Sequence, residues 1–542
     1  MSDAPTAPAF VRPRRGAEIE LTLEAFADRG KSLARLGASE TSRGYVVFVA
    51  GAVPGDRVRA RVFKRSKRFA EARLLAVLDP SPLRTEPRCE YAASCGGCKW
   101  QHVAYDAQTD MKRDAVVGAL THTGGLDLAT LGPGGAPVEV QPTLGAERRD
   151  GSGGTYFYRN KMEFSFSAGR WLADWEIASG ESFDTDFALG LHVPGRFDKV
   201  LDLKACYLQS EWSARLVNGV RAFAKAQGWA PLHAREHTGY LRILAIRTSA
   251  HTEDRMVNLV TSHHDADRMA AFADFLRAEF PETTTLVNTV NSGVAQTSYG
   301  EAEHVVFGPG LIRDSLGDLH FEIAPTAFFQ TNTVQAEKLY AVATEAAELR
   351  PTDLVYDLFC GAGTISLWLA GQVERVVGVE LVEAAVENAR ANAVANGVGN
   401  ATFVAGDMLE LFTPDFVAEH GQPDVLVIDP PRAGMHPKVV GQVARLQPER
   451  IVYVSCNPQS QAQDLARLFE ESGHAYEITR IQPVDMFPHT HHVENVVALR
   501  RKAGAAPAPP APSHGPAQTA SPNAHRADPA AETGEAPGTG EA

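Results

Sequence analysis

The sequence predicts an α/β protein: a Rossmann-like, doubly wound parallel sheet near the C-terminus, preceded by a small OB-like β-barrel and an α+β middle. Three observations carry this. Beyond Glu322, apolar strands (Val355-Tyr-Asp-Leu, Val376-Val-Gly-Val, Val425-Leu-Val-Ile, Ile451-Val-Tyr-Val) alternate with amphipathic helical stretches, as a sheet covered on both faces requires. Near the N-terminus, four short strand-like runs are parted by Gly, Pro and Asp turns, the spacing of a small closed barrel. The middle mixes both periodicities and is assigned only as α+β.

In order, residues 1–16 are expected to be disordered and 17–77 to form the barrel, with strands in Ile19–Leu23, Gly44–Val49, Asp56–Val62 and Glu71–Val77. Asp79-Pro-Ser-Pro breaks the chain before a central region at 78–320, which includes a Gly-rich loop near Asp150. Residues 321–502 make the parallel-sheet domain. The stretch 503–542 has no Leu, Ile, Val, Phe, Tyr or Trp, so it cannot build a core and is expected to be disordered.

At 542 residues, 44% hydrophobic and 22% charged, the chain is an ordinary globular one of about three or four domains. Its net charge of −14 argues against a general nucleic-acid binder. The balance hides a local excess, since Asp56–Arg73 holds eight Arg and Lys against Asp56 and Glu71. Alternating basic and apolar residues on a strand make one face a phosphate-binding stripe, or merely a solvated face. No signal-peptide core and no run of eighteen apolar residues occurs, so a cytoplasmic protein without a membrane partner is expected. A monomer is expected.

Six cysteines are present. Cys89, Cys95 and Cys98 form C-x5-C-x2-C, with Cys206 as a plausible fourth. In a reducing compartment these are ligands of a metal or cluster rather than disulfide partners. Spacing alone leaves a four-cysteine zinc site and an iron–sulfur cluster both open.

Asp357-Leu-Phe-Cys-Gly-Ala-Gly-Thr follows a strand and opens a helix, where glycines such as Gly361 let the backbone approach a ligand. The next strand ends in Glu380, placed to accept hydrogen bonds from ribose hydroxyls, and a third leads to Gly406-Asp407, suited to an adenine amino group. The sixth position of the dinucleotide fingerprint is Ser366, and nothing is set to hold a second phosphate. S-adenosylmethionine is therefore favoured over a nicotinamide cofactor.

Asp429-Pro-Pro-Arg lies at the C-terminal end of the fourth strand, and Ser455-Cys456-Asn457-Pro458 at the end of the fifth. Asp-Pro-Pro resembles the base-binding loop of amino-methyltransferases, but Arg432 replaces the aromatic residue expected there. Methylating an exocyclic nitrogen needs no thiol; methylating C5 of a pyrimidine does. Thiolate addition to C6 gives C5 carbanion character, and a base must later remove the C5 proton. Cys456 is the candidate nucleophile and Glu494 the candidate base. His489, His491 and His492 crowd the same segment, where orienting a base or binding phosphate fits better than metal ligation.

Together with Phe328-Phe-Gln-Thr-Asn and His491-His-Val-Glu-Asn, these motifs resemble the RNA uracil-C5 methyltransferases that make 5-methyluridine, over about residues 17–500. The resemblance implies that Gln330, Phe359, Glu380, Asp407 and Asp429 line the S-adenosylmethionine and base pocket, with Cys456 as nucleophile and Glu494 as base. It implies that the barrel is an RNA-binding TRAM domain and that Arg159 and Lys161 meet RNA. Cys89, Cys95, Cys98 and Cys206 resemble the ligands of a [4Fe–4S] cluster in the ribosomal members. The substrate it implies is a uridine of 23S rRNA. The alternatives are tRNA, whose enzymes in the family typically lack barrel and cluster, or a non-catalytic RNA-binding or ribosome-assembly factor.

Overall fold

The structure is a computed structural model describing residues 12–27, 30–38, 44–146 and 154–505. Most of the N-terminal stretch expected to be disordered, the Gly-rich loop at Asp150 and the tail from 506 lie outside the described residues.

β1 (Glu18–Thr22), β2 (Ala25–Ala27), β3 (Lys31–Leu36), β4 (Tyr45–Ala50), β5 (Arg57–Arg65) and β6 (Phe69–Asp79) form one sheet in the order β1-β5-β6-β4-β3-β2. The two edge strands are consecutive in the chain, joined only by Leu23 and Glu24, so the sheet must curl until its edges approach. Alternation sends Val47, Val49, Val58, Ala60 and Val62 inward. β2 and β3 are additions to the four runs read from the sequence; one is three residues long and the other carries Lys31, Ser32 and Arg35.

α1 (Tyr105–Gly118) follows the cysteine segment. The middle sheet contains β7 (Lys161–Ser167), β8 (Arg170–Trp171), β9 (Ala188–His192), β10 (Val200–Asp202), β11 (Leu241–Thr248), β12 (Arg255–Thr261), β13 (Thr285–Val290) and β14 (Ala302–Phe307). Its order is β14-β13-β12-β11-β7-β9-β10-β8, accompanied by α2 (Asp174–Ser179), α3 (Glu211–Ala226) and α4 (Ala266–Glu279). Cys98 is buried in this core beside Tyr91, Leu189 and Leu203. The stretch 105–144, expected in the central region, packs instead on the C-terminal sheet. Val116, Leu120 and Val140 share a core with Tyr356, Ile451 and Ile481, and Val140 and Leu144 bridge Ile481 and Val484.

A hairpin of β15 (Ile312–Leu316) and β16 (Leu319–Ile323) packs with α5 (Thr333–Ala347). Then come β17 (Leu354–Leu358), α6 (Thr364–Ala370), β18 (Arg375–Glu380), α7 (Glu383–Ala395), β19 (Ala401–Ala405), α8 (Met408–Leu411), α9 (Pro414–His420) and β20 (Val425–Ile428). α10 (Pro437–Leu446), β21 (Arg450–Ser455), α11 (Pro458–Glu471), β22 (Tyr476–Val484) and β23 (Glu494–Arg501) complete the domain. The sheet order is β19-β18-β17-β20-β21-β23-β22, with β17–β21 parallel and β23 antiparallel to both neighbours. Strand order reverses between β17 and β20, and in open sheets ligands bind outside the carboxyl ends at such a switch point.

Candidate active site

That rule is met by nearly every singled-out residue of the last domain. β17 leads into Phe359, Cys360 and Gly361, β18 ends on Glu380, β19 leads to Asp407, β20 to Asp429 and β21 to Cys456. β23 runs the opposite way, so its first residue returns to the same edge. Ser455 pairs with Asn495, which puts Glu494 opposite Cys456.

Backbone strain marks the glycine loop. Phe359 has φ +64° and Gly361 φ +54°, conformations that L side chains rarely adopt. At Gly363 (φ +79°) a Cβ would sit 2.9 Å from Phe403 and 3.0 Å from Ala389, so both backbone and packing require glycine. The Glu380 carboxylate accepts from Gly361 N at 3.1 Å and Val382 N at 3.0 Å. It thereby ties the loop to the second strand, and the apolar Leu381 and Val382 beside it are exposed. Asp407 is exposed and caps α8, accepting from Leu409 N at 2.9 Å. Gln330 is half-buried, and its carbonyl is held by Asn160 Nδ2 at 2.8 Å. Thr364 shares a hydrogen bond with the Tyr340 hydroxyl at 3.1 Å.

Cys456 lies in the bend between β21 and α11. Asn457 caps that helix, accepting from Gln459 N at 3.2 Å while its Nδ2 donates to the Arg432 carbonyl at 2.8 Å. Ser460 Oγ donates to the same carbonyl at 3.1 Å. The nucleophile bend and the Asp-Pro-Pro-Arg loop are therefore pinned together. Burial, then the Glu494 charge, raises the Cys456 thiol to about 12, while the Arg432 guanidinium opposes this. Glu494 is 5% exposed. Burial, and next the Asp429 charge, lift its carboxyl to about 8, again opposed by Arg432. Burial lifts Asp429 to about 7. Asp357, fully buried with Ser366 Oγ donating to Oδ2 at 2.5 Å, also rises to about 7, chiefly through burial. Among the described residues, Arg432 is thus the one cation acting on both Cys456 and Glu494, and its Nη2 lies 3.2 Å from His492 Nδ1. Sequence reading registered it only as a missing aromatic residue.

The histidine segment is gripped from the N-terminal half. The amides of Lys99 and Trp100, directly after Cys98, both donate to the His489 carbonyl at 2.9 Å. Gln108 Oε1 accepts from His489 N at 2.8 Å. On the same helix, Lys112 makes a fully buried ion pair with Asp485 at 2.5 Å, and Tyr105 donates to the other Asp485 oxygen at 2.8 Å. Burial lowers His489 to about 4 and His492 to about 2, so both stay neutral. Neutral rings can orient neighbours but offer no charge to a phosphate.

Cys89, Cys95, Cys98 and Cys206 all line one small cavity with Tyr91 and Leu191. Among the described residues, no group of three or more His, Cys, Asp or Glu side chains is gathered so as to hold a metal ion. Lys161 is paired with Glu163 at 2.7 Å, and the Arg159 guanidinium lies 5.4 Å from the Phe487 ring centre, so neither is a free surface charge. No helix among the described residues is long and apolar enough to cross a membrane.

A switch-point glycine loop, a carboxylate closing the second strand and this strand order define an S-adenosylmethionine-dependent methyltransferase fold. Comparisons narrow the class. A family model described as tRNA (Uracil-5-)-methyltransferase matches residues 305–502, and a TRAM domain model matches 12–75. An uncharacterized RNA methyltransferase of Chlorobaculum tepidum is 43% identical over 91% of this chain and 98% of its own. One from Bacteroides thetaiotaomicron is 39% identical over 87% and 99%. Among solved structures, the tRNA (uracil-54, C5)-methyltransferase of Pyrococcus abyssi, in complex with S-adenosyl-L-homocysteine, superposes with TM-score 0.66 at 26% identity. It covers 89% of this chain and all of its own. The chain belongs to the RNA uracil-5 methyltransferase family, as an S-adenosylmethionine-dependent enzyme with an N-terminal TRAM domain.

Proposed function

We propose that the enzyme methylates C5 of a uridine in 23S rRNA through a covalent bond between Cys456 and C6. The observation that carries this is the juxtaposition of Cys456 and Glu494 across the β21–β23 pair, with Arg432 acting on both. Cys456 Sγ, once its proton has passed to solvent, attacks C6 as thiolate and the ring becomes an enolate nucleophilic at C5. S-adenosylmethionine would supply the electrophilic methyl group and leave as S-adenosylhomocysteine. Glu494, as carboxylate, then takes the C5 proton; the electron pair restores the C5–C6 double bond and expels the thiolate. Asp429 stands at the base-facing edge, Glu380 and Asp407 face ribose and adenine, and Phe359, Gly361 and Gln330 shape the pocket. A target base must leave its stack to reach Cys456.

The four cysteines around one largely apolar cavity are read as ligands of a [4Fe–4S] cluster, with zinc the alternative occupant; the resemblance to the ribosomal members, and not the geometry, carries that choice.

Transfer RNA is the second reading, because the solved relative acts on uracil-54 of tRNA and spans 89% of this chain. Overall architecture therefore does not by itself separate the substrates; the resemblance of the cysteine set to the ribosomal members is what favours rRNA. The test is incubation with S-adenosylmethionine and 5-fluorouridine-substituted rRNA or tRNA, followed by mass spectrometry. Fluorine cannot leave as a proton, so a methylated adduct on Cys456 is expected with rRNA. Trapping only with tRNA would move the substrate, and no adduct from active protein would overturn the covalent route.

A further inference from the structure

The barrel's basic residues are not equivalent. On the outer face of β5, Arg57 is bound by Glu20 and Asp79, Arg59 by Glu20, and Arg61 by Glu18. Such exposed pairs are weak in water, so the arginines are free to move. The carboxylates remain beside them, however, and repel an approaching phosphate. Across the β5–β6 turn, Lys64 pairs with Glu71, whereas Arg65, Lys67 and Arg68 are exposed and make no ion pair among the described residues. Exposed Arg73 makes no ion pair among the described residues either and stands directly opposite Arg61.

Between these two groups the ladder is irregular. The register shifts between Val62 and Lys64, leaving Phe63 as the extra residue of a bulge, a device that re-aims a side chain. Phe63 is 51% exposed, an aromatic ring turned to solvent within a cationic rim.

We infer that the turn of β5 and β6 is the barrel's footing for single-stranded RNA: Phe63 stacks on an unpaired base while Arg65, Lys67 and Arg68 hold the adjacent phosphates. The strand face formed by Arg57, Arg59 and Arg61 takes no part. Every base offers a π-face, so this contact grips RNA without reading sequence, and it leaves discrimination to the catalytic pocket. The inference rests on RNA being the substrate.

The test is fluorescence anisotropy of the full chain with a labelled single-stranded RNA across a salt series. For single strands the slope of log K against log salt falls by about 0.7 for each phosphate the protein no longer neutralises. Arg65→Ala/Lys67→Ala/Arg68→Ala should reduce it by about 2, and Arg57→Ala/Arg59→Ala/Arg61→Ala should leave it unchanged. Phe63→Ala should weaken binding roughly tenfold, Phe63→Trp should restore it, and Phe63→Leu should not. Equal drops in slope for the two triple variants, or wild-type binding by Phe63→Leu, would overturn the inference. The 5-fluorouridine adduct is measured in parallel on wild-type enzyme. Normal trapping with unaffected turn variants defeats only this footing, whereas no trapping by wild type defeats the catalytic reading.

Discussion

Three buried carboxyls, Asp357, Asp429 and Glu494, stand around the reacting edge, all pushed toward or above neutrality. A carboxyl near 8 is mostly protonated at pH 7, yet a proton-abstracting base must be ionised. Activity as kcat/KM should therefore rise steeply with pH through about 8 and less steeply above it, where only the Cys456 thiol is still to ionise. Asp429→Asn removes a neighbouring negative charge and should move that limb to lower pH; Arg432→Ala removes the opposing cation and should move it higher. A pH–rate profile unchanged in both variants would assign the limb to another group. Glu494→Gln should form the C6 adduct and accept the methyl group but fail to release, leaving a stable enzyme–RNA complex on denaturing gels with ordinary uridine. Asp357 bears on stability rather than rate. Its folded pKa is raised, so it contributes stability below the unfolded value near 4, and this is lost as pH rises through about 7. The loss is on the order of 4 kcal/mol, and Asp357→Asn should make the fall in Tm between pH 5 and 7 shallower, the remainder coming from Asp429 and Glu494.

Among the elements, the parallel strands were legible because both faces are buried, which forces continuous apolar runs such as Val425–Ile428. β22 and β23 were harder to see. β22 carries Arg480, Gln482 and Pro483, and β23 opens on Glu494 and Asn495, so neither yields a clean run. The motifs singled out Cys456 and Glu494, which the fold sets opposite one another, but not Arg432, because its effect comes from a fold that sets it against both. Nor does any local pattern mark α1 as part of the catalytic unit; its amphipathic face says that it packs, not where. Lys112 on that helix tests the packing. Removing one partner of a fully buried pair strands the other charge, so Lys112→Met should destabilise by about 3–5 kcal/mol in denaturant unfolding. Lys112→Met with Asp485→Leu should recover part of that loss, and additive losses would show that the pair is not coupled.

Across the molecule, the cysteine cluster and the proposed base are joined by a short relay: Cys98, the Lys99 and Trp100 amides, the His489 carbonyl, then five residues to Glu494. Cys206→Ala should lower iron per chain and bleach the visible absorbance of protein purified without oxygen. Full iron content in that variant would exclude Cys206 as a ligand. The three larger sheets were foreseeable at the level of class, whereas the clasp of residues 99–112 on 485–489 was not, since its halves are so far apart in sequence. Gln108 meets His489 across 381 residues and Lys112 meets Asp485 across 373. During synthesis, at about 5–20 residues per second, the earlier half of this clasp waits roughly 20–75 s for the later half to be translated. The strands of the barrel all lie within residues 18–79 and leave the ribosome long before Glu494 is made, so the proposed base takes its seat only when synthesis is nearly over.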